Sequence, residues 1–331
     1  MKHSSRYGLG VVIGKFLPPH RGHRHLIERA LSRCGRVVVI VCGKPSDPIP
    51  GELRADWLRE VLPAAEVMLI DDRYDENDSR IWAENTIRWL GCAPDAVFTS
   101  EGYGDAYAGY LGCVHESVDP ERVRFPCSGT AVRSDPFSMW SYIDAPVRAW
   151  YAKRIVIVGA ESTGTTTLAR ALAKRFKTVW VPEFGREYSL EKQKRGQTEW
   201  NSDEFLMIAR EQTRREEEAA REANRILICD TNAFATRLWH RRYMGFDLPE
   251  LAEISSTCRV DLYLLTGDEI PFVQDGLRDG EHIRHEMHRW FEIDLGRQSA
   301  PWRLLAGDSA FRISQACGVI EEVLGPMSLR F

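Results

Sequence analysis

Along the chain, short unbroken apolar runs alternate with longer segments in which apolar residues recur every three or four positions. LGVVIG (Leu9–Gly14) leads through a loop ending at His23 into the amphipathic HLIERALSRC, and then into RVVVIVCG (Arg36–Gly43). The same order starts again with RIVIVGA (Arg154–Ala160), the loop ESTGTTT, the segment LARALAKRF and the run TVWVPEFG. A continuous β-branched run flanked by helical periodicity predicts a strand buried on both faces of a parallel sheet. The pattern therefore predicts an α/β chain with two doubly wound parallel-sheet domains. Pro146 breaks the helical pattern within YIDAPVRAWYAKR (Tyr142–Arg154), which puts the boundary near Ala152, with domains 1–151 and 152–331.

Composition narrows the class. The 331 residues are long enough for two cores, and 44% hydrophobic with 28% charged residues is ordinary for a globular protein. A net charge of −4 without a basic block points away from nucleic acid and anionic membrane as partners. No apolar run approaches the ~20 residues that cross a bilayer, and the first ten residues lack a signal-peptide core. The eight cysteines are scattered without a Cys-x-x-Cys pair, so reduced thiols and a cytoplasmic setting are expected. Oligomeric state is left open, a homo-oligomer included.

Both loops fall where crossover helices place ligands, at the carboxyl ends of parallel strands. In GVVIGKFLPPHRGH, the helix beginning near Gly22 offers free backbone N–H groups and the positive end of its dipole. Gly14 and Phe16 shape the approach, Lys15 adds charge, and Gly22 removes a side chain that would block a phosphate. His20 and His23 can donate hydrogen bonds to phosphate oxygens, while Pro18 and Pro19 limit the entropy lost on binding. The expected ligand is the triphosphate of ATP. Incidental loop histidines are the alternative, less fitting for a His-x-Gly-His set after a strand.

At this point the chain resembles the nucleotidyltransferase superfamily, whose signature is His-x-Gly-His followed, late in the same domain, by a Ser/Thr-x-x-x-x-Arg motif. CSGTAVRSD supplies Ser128, Gly129, Thr130 and Arg133. The resemblance implies a Rossmann-like fold in which this second motif holds the β- and γ-phosphates. A phosphate-monoester nucleophile is already anionic and needs no general base, so positioning and charge neutralisation carry such a reaction, with Mg²⁺ bridging the phosphates.

The second loop, Gly159, Ala160, Glu161, Ser162, Thr163, Gly164, Thr165, Thr166 and Thr167, has the glycine spacing and context of a P-loop. Thr166 stands where the Mg²⁺-binding hydroxyl belongs, but Thr165 occupies the lysine position. Either backbone N–H groups cradle phosphate while arginines from elsewhere cover the charge, or the domain binds nucleotide and catalyses poorly. PEFGREY brings Glu183, Arg186 and Tyr188 to the place where P-loop nucleoside kinases carry an acid facing the acceptor hydroxyl. A neutral hydroxyl, unlike a phosphate, gains from a carboxylate base. RILICDTN ends an apolar run in Asp230, a Walker-B-like Mg²⁺ ligand, with Asn232 beside it, and VQDGLRDGEHIRHEMHRW places Arg278 and Arg284 in a lid-like segment. A helix-capping acid and solvated arginines are the plain alternatives.

Other signals count for less. His282, His285 and His288 lack the His-Glu-x-x-His pattern and are expected on a solvated helix. RREEEAAREANR (Arg214–Arg225) reads as a charged surface helix. Trp82 and Trp89, seven apart, fit one helix face, and Trp82 alternatively stacks on a flat ring.

The order of parts resembles the NadR-type bifunctional family, nicotinamide-nucleotide adenylyltransferase fused to ribosylnicotinamide kinase, over nearly the whole chain. TSEGYGDAYAGYLG (Thr99–Gly112) and VDPERVRFPCSGTAVR (Val118–Arg133) fit its first domain, and DTNAFATRLW and QDGLR its second. The resemblance implies that the C-terminal half phosphorylates nicotinamide riboside to the mononucleotide with ATP, and that the N-terminal half joins AMP to the mononucleotide, giving NAD. Trp82 would then meet the nicotinamide ring, and Glu183, Arg186, Tyr188, Asp230 and Asn232 the riboside. Seven residues precede the first strand region, so the DNA-binding role of some family members is not carried over. A different nucleotidyltransferase–kinase pair, and an adenylyltransferase regulated by a nucleotide-sensing P-loop domain, remain as other readings.

Overall fold

The computed structural model describes residues 6 to 324. It divides into two compact units between Val147 and Arg148. The first is built on strands β1 (Tyr7–Gly14), β2 (Cys34–Gly43), β3 (Glu66–Asp71), β4 (Ala96–Thr99) and β5 (Val114–Ser117), in the order β3-β2-β1-β4-β5. Every pairing is parallel, with Val11 opposite Val38 and Val12 opposite Val39. Alternation explains the unbroken apolar runs. Val12, Val39 and Val41 pack with Leu26, Ile27, Ala55 and Leu58 on one face. Val11, Val38, Ile40 and Cys42 face the other way, against Trp82 and Trp89.

The second unit repeats the plan with β6 (Lys153–Val158), β7 (Trp180–Val181), β8 (Ile226–Asp230), β9 (Leu262–Thr266) and β10 (Trp302–Leu305). Its order, β10-β9-β6-β8-β7, is again parallel throughout. Ile155, Ile157, Ile228 and Leu264 form its core with Leu168, Leu172 and Ile320. In each sheet the chain fills one side of the first strand and then crosses to the other, so a crevice opens at the carboxyl ends of β1 and β6.

Three local expectations change. TVWVPEFG yields only a two-residue strand, because Pro182 has no ladder donor and helix Phe184–Lys194 starts immediately after Glu183. The segment carrying His282, His285 and His288 is not simply solvated: helix Arg284–Leu295 buries Met287, His288, Phe291 and Leu295 along one stripe. His285 Nδ1 instead meets Asp268 Oδ2 at 2.5 Å. The charged helix Ser202–Ala220 turns Gln212 and Glu216 into the core, where burial pushes the Glu216 carboxyl up to about 8. Among the described residues no helix is long and apolar enough to cross a membrane.

Candidate active sites

The loop after β1 opens into a cavity of about 730 Å³ that gathers Gly14, Lys15, Phe16, His20, Gly22, His23, Ser128, Gly129, Thr130 and Arg133. Residues more than a hundred positions apart thus meet at one strand end. His20 is the N-cap of helix Arg21–Leu31, and its ring stacks on His23 with centroids 3.7 Å apart and planes at 27°. Burial, reinforced by Arg122, holds His20 down to about 4, and burial with the neighbouring His20 holds His23 well below the ordinary range. Both rings are therefore neutral at pH 7 without ligand. His23 Nδ1 is buried with no hydrogen-bond partner. Phe16, 2% exposed, packs edge-on against His23 at 5.0 Å.

Across the cavity Ser128 caps helix Gly129–Ser134, accepting from the Ala131 amide at 3.1 Å. Arg133 donates to the Leu17 carbonyl and, at 3.2 Å, to Thr130 Oγ1, so the two motifs are tied directly together. A Cβ at Gly129 would stand 2.5 Å from the Leu17 oxygen. Gly129→Ala must therefore part the motifs or strain them. We expect a loss of about 1–3 kcal/mol in thermal or denaturant unfolding, together with a fall in any chemistry this cavity performs. Lys15 Nζ sits 2.6 Å from Glu76 Oε1 at the cavity wall. Trp82 also lines the cavity, its Nε1 donating to the Asp75 carbonyl at 2.9 Å and its ring packed edge-on to Tyr74.

Several lining residues escaped the sequence reading. Asp72 is buried and presents an unpartnered Oδ1, Arg122 adds a second arginine, and Tyr103 donates to the Ile13 carbonyl at 3.2 Å. The fully buried Arg54 braces the loop by donating to the Lys15 carbonyl and, at 3.2 Å, to that of Cys42. Its one visible signal was a charge on the apolar face of GELRADWLREV.

The second cavity, about 190 Å³, lies at the end of β6 and is lined by Gly159, Ala160, Glu161, Ser162, Gly164, Thr165, Thr166, Thr167, Glu183, Arg186 and Arg278. Thr163 is turned under the loop, bonded to Thr266 at 2.7 Å and to the Ala160 carbonyl at 2.7 Å. A Cβ on Gly159 would stand 2.2 Å from Thr266 Oγ1, so only glycine lets the loop close this tightly. Buried arginines hold the loop from behind: Arg284 donates to the Ser162 carbonyl at 3.1 Å, and Arg312 to that of Thr163 at 2.7 Å. Trans peptides point N–H opposite to C=O, so the amides of Thr163 and Gly164 are directed away from these arginines. Helix Thr165–Arg175 follows at once, adding its own free N–H groups.

Thr166 Oγ1 donates to Asp230 Oδ2 at 2.5 Å, while Asp230 Oδ1 is buried without a partner. Burial raises the Asp230 carboxyl, and burial with the nearby Asp230 charge pushes Glu183 up to about 8. Of the remaining expected residues, Arg186 pairs with Asp275, and Arg278 reaches Ser162 Oγ at 3.2 Å. Arg284 supports the loop rather than lining the cavity. Tyr188 is outside the lining, bonded to Glu204 at 2.9 Å, and Asn232 is the buried cap of helix Ala233–Met244. Trp200, Trp239 and Tyr243 form an aromatic wall of the same cavity.

Comparison with known proteins follows the same division. Residues 11–135 match the cytidylyltransferase-like family, and residues 154–312 match the AAA domain family. The chain is 28% identical over 295 residues to the trifunctional NAD biosynthesis/regulator protein NadR of Escherichia coli (strain K12), a match spanning 82% of this chain and 71% of the relative. The protein of the same name from Salmonella typhimurium is 28% identical over 294 residues, with the same shares covered. A NadR protein solved in complex with NR superimposes with a TM-score of 0.80 at 22% identity, covering 98% of this chain and 97% of its own. One solved with NAD and AMP-PNP gives 0.75 at 22%, covering 96% of each. In sequence across both units, and in fold over almost its entire length, the chain is similar to the NadR proteins.

Proposed function

We propose that the chain carries out two consecutive steps of NAD synthesis. The second unit transfers the γ-phosphoryl group of ATP to nicotinamide riboside, giving the mononucleotide and ADP. The first joins AMP from ATP to the mononucleotide phosphate, giving NAD and pyrophosphate. The observation that carries this reading is the contrast between the two strand-end cavities. One pairs neutral histidines with the Ser128–Arg133 motif, suiting an anionic nucleophile. The other sets a P-loop beside Glu183, a carboxyl tuned toward accepting a proton from a neutral hydroxyl.

In the first cavity His20, His23, Lys15 and Arg133 would take up charge as it shifts onto the leaving pyrophosphate. Trp82 is the candidate face for the nicotinamide ring. In the second, Arg186 and Glu183 would orient the ribose hydroxyl. Asp230 and Thr166 suit Mg²⁺, since an orphaned carboxylate oxygen lies beside a hydroxyl at the loop; the ion would supply neutralisation of the phosphate chain. A cytoplasmic setting fits nucleotide substrates of this kind.

The assay is direct. Protein, ATP, Mg²⁺ and nicotinamide mononucleotide should yield NAD with equimolar pyrophosphate, and nicotinamide riboside with ATP should yield the mononucleotide. Neither product forming would refute the reading.

Thr165 favours one competing view, a P-loop unit that binds nucleotide without turnover. The cavity-lining Arg278 argues for replacement of the missing charge. Arg278→Ala is expected to lower riboside phosphorylation about 10²–10³-fold, the usual effect of losing one transition-state donor. Adding Thr165→Lys to that variant should recover part of the rate. A wild-type protein that binds ATP yet never phosphorylates the riboside would support the sensor instead.

A further inference from the structure

His20 has a partner that the two motifs do not specify. Cys127, the residue before Ser128, places Sγ 3.3 Å from His20 Nδ1 and lines the same cavity, with 4% of its surface exposed. The Gly22 amide also bears on this sulfur, against the larger effect of burial. A protonated thiol this close can offer Nδ1 its single S–H. Burial pushes the Cys127 thiol up, so the proton stays on sulfur, and His20, held down to about 4, is neutral with one N–H to place. A neutral imidazole that accepts at Nδ1 carries its proton on Nε2.

We infer that Cys127 is a positioning residue that fixes His20 in the Nε2–H tautomer, so that the ring meets the phosphate chain of the nucleotide as a donor. The opposite tautomer would turn a lone pair toward anionic oxygen. In free neutral histidine both tautomers coexist, with Nε2–H favoured; here a side chain contributed from the far end of the domain locks that form. His20 is 6% exposed and stacked on His23, so little water reaches the ring to re-sort its protons. The inference rests on the adenylyl-transfer reading of this cavity, but the tautomer itself can be read without any turnover.

The test uses the full chain labelled with ¹⁵N-histidine, with long-range ¹H–¹⁵N spectra assigned through His20→Gln. Wild-type protein should show His20 protonated at Nε2 and bare at Nδ1. Cys127→Ala should give a tautomer mixture and lower kcat for NAD formation about 10-fold, the lower end for outer partners of a functional histidine. Its KM for ATP should stay within about twofold, since the cavity wall is otherwise kept. Cys127→Ser, which retains a donor, should restore the tautomer and most of kcat. A wild-type His20 protonated at Nδ1 overturns the inference without any variant. So does an unchanged tautomer or an unchanged kcat in Cys127→Ala. Absence of NAD formation by wild-type protein would instead fault the functional reading, leaving the tautomer spectrum to judge the pairing alone.

Discussion

His23→Ala is expected to reduce NAD formation from the mononucleotide by at least about 10²-fold, while riboside phosphorylation by the same preparation stays unchanged. The size follows from geometry. His23 lies on the cavity wall, stacked at 3.7 Å on His20, and its Nδ1 is buried without a partner. Burial holds each ring neutral in the absence of ligand, with Arg122 adding to it at His20 and the neighbouring His20 adding to it at His23. A bound triphosphate supplies the anion that this arrangement lacks, and the transferring α-phosphate adds negative charge in the transition state. Alanine removes that donor and leaves Phe16 without its edge-on neighbour. Selectivity follows because Glu183, Asp230 and the P-loop belong to the other unit. Parallel rate measurements on the two half-reactions check it; equal loss of both would argue against separate sites.

The second large effect belongs to Glu183. Glu183→Gln should lower riboside phosphorylation by about 10²–10⁴-fold, the range for a general base, without touching the adenylyl step. The wild-type pH profile carries a further signature. Burial and the Asp230 charge raise the Glu183 carboxyl to about 8. Below that pH the group is protonated and cannot accept the hydroxyl proton. The kcat/KM for riboside should therefore climb with pH, bend near 8 and level off about one pH unit above it. In Glu183→Gln this rising limb should vanish. The adenylyl step should lack it as well, because a phosphate monoester, with its second ionisation near 6, is already largely a dianion at neutral pH. A riboside profile flat from pH 6 to 9 would remove Glu183 from the role of base.

Much of this was legible in the chain because parallel strands advertise themselves. β1, β2, β6 and β8 are unbroken apolar runs, and the glycine-bearing loops after β1 and β6 run straight into helix N-termini, whose free N–H groups suit phosphate. Strand–loop–helix context pointed to His20, His23 and the loop from Gly159 to Thr167, and the nucleotidyltransferase resemblance to Ser128 and Arg133; all of these but Thr163 line the two cavities. Such context failed where a residue's role depends on what folds against it. Asn232 and Tyr188 sit next to site residues in sequence, yet one caps a helix and the other turns to Glu204. Arg284 looked like a lid cation and is a buried prop beneath the P-loop. Conversely, Arg54, Arg122 and Asp72 carry no motif, because their contacts join segments that only the sheet brings together.

The two-step account is tested most directly by a single reaction containing purified protein, Mg²⁺, ATP and nicotinamide riboside, followed by phosphorus NMR. It predicts that the riboside is consumed, that the mononucleotide appears and declines, and that each NAD formed is matched by one ADP and one pyrophosphate. Folded protein that leaves the riboside unphosphorylated, or that makes mononucleotide but no NAD and no pyrophosphate, would contradict it.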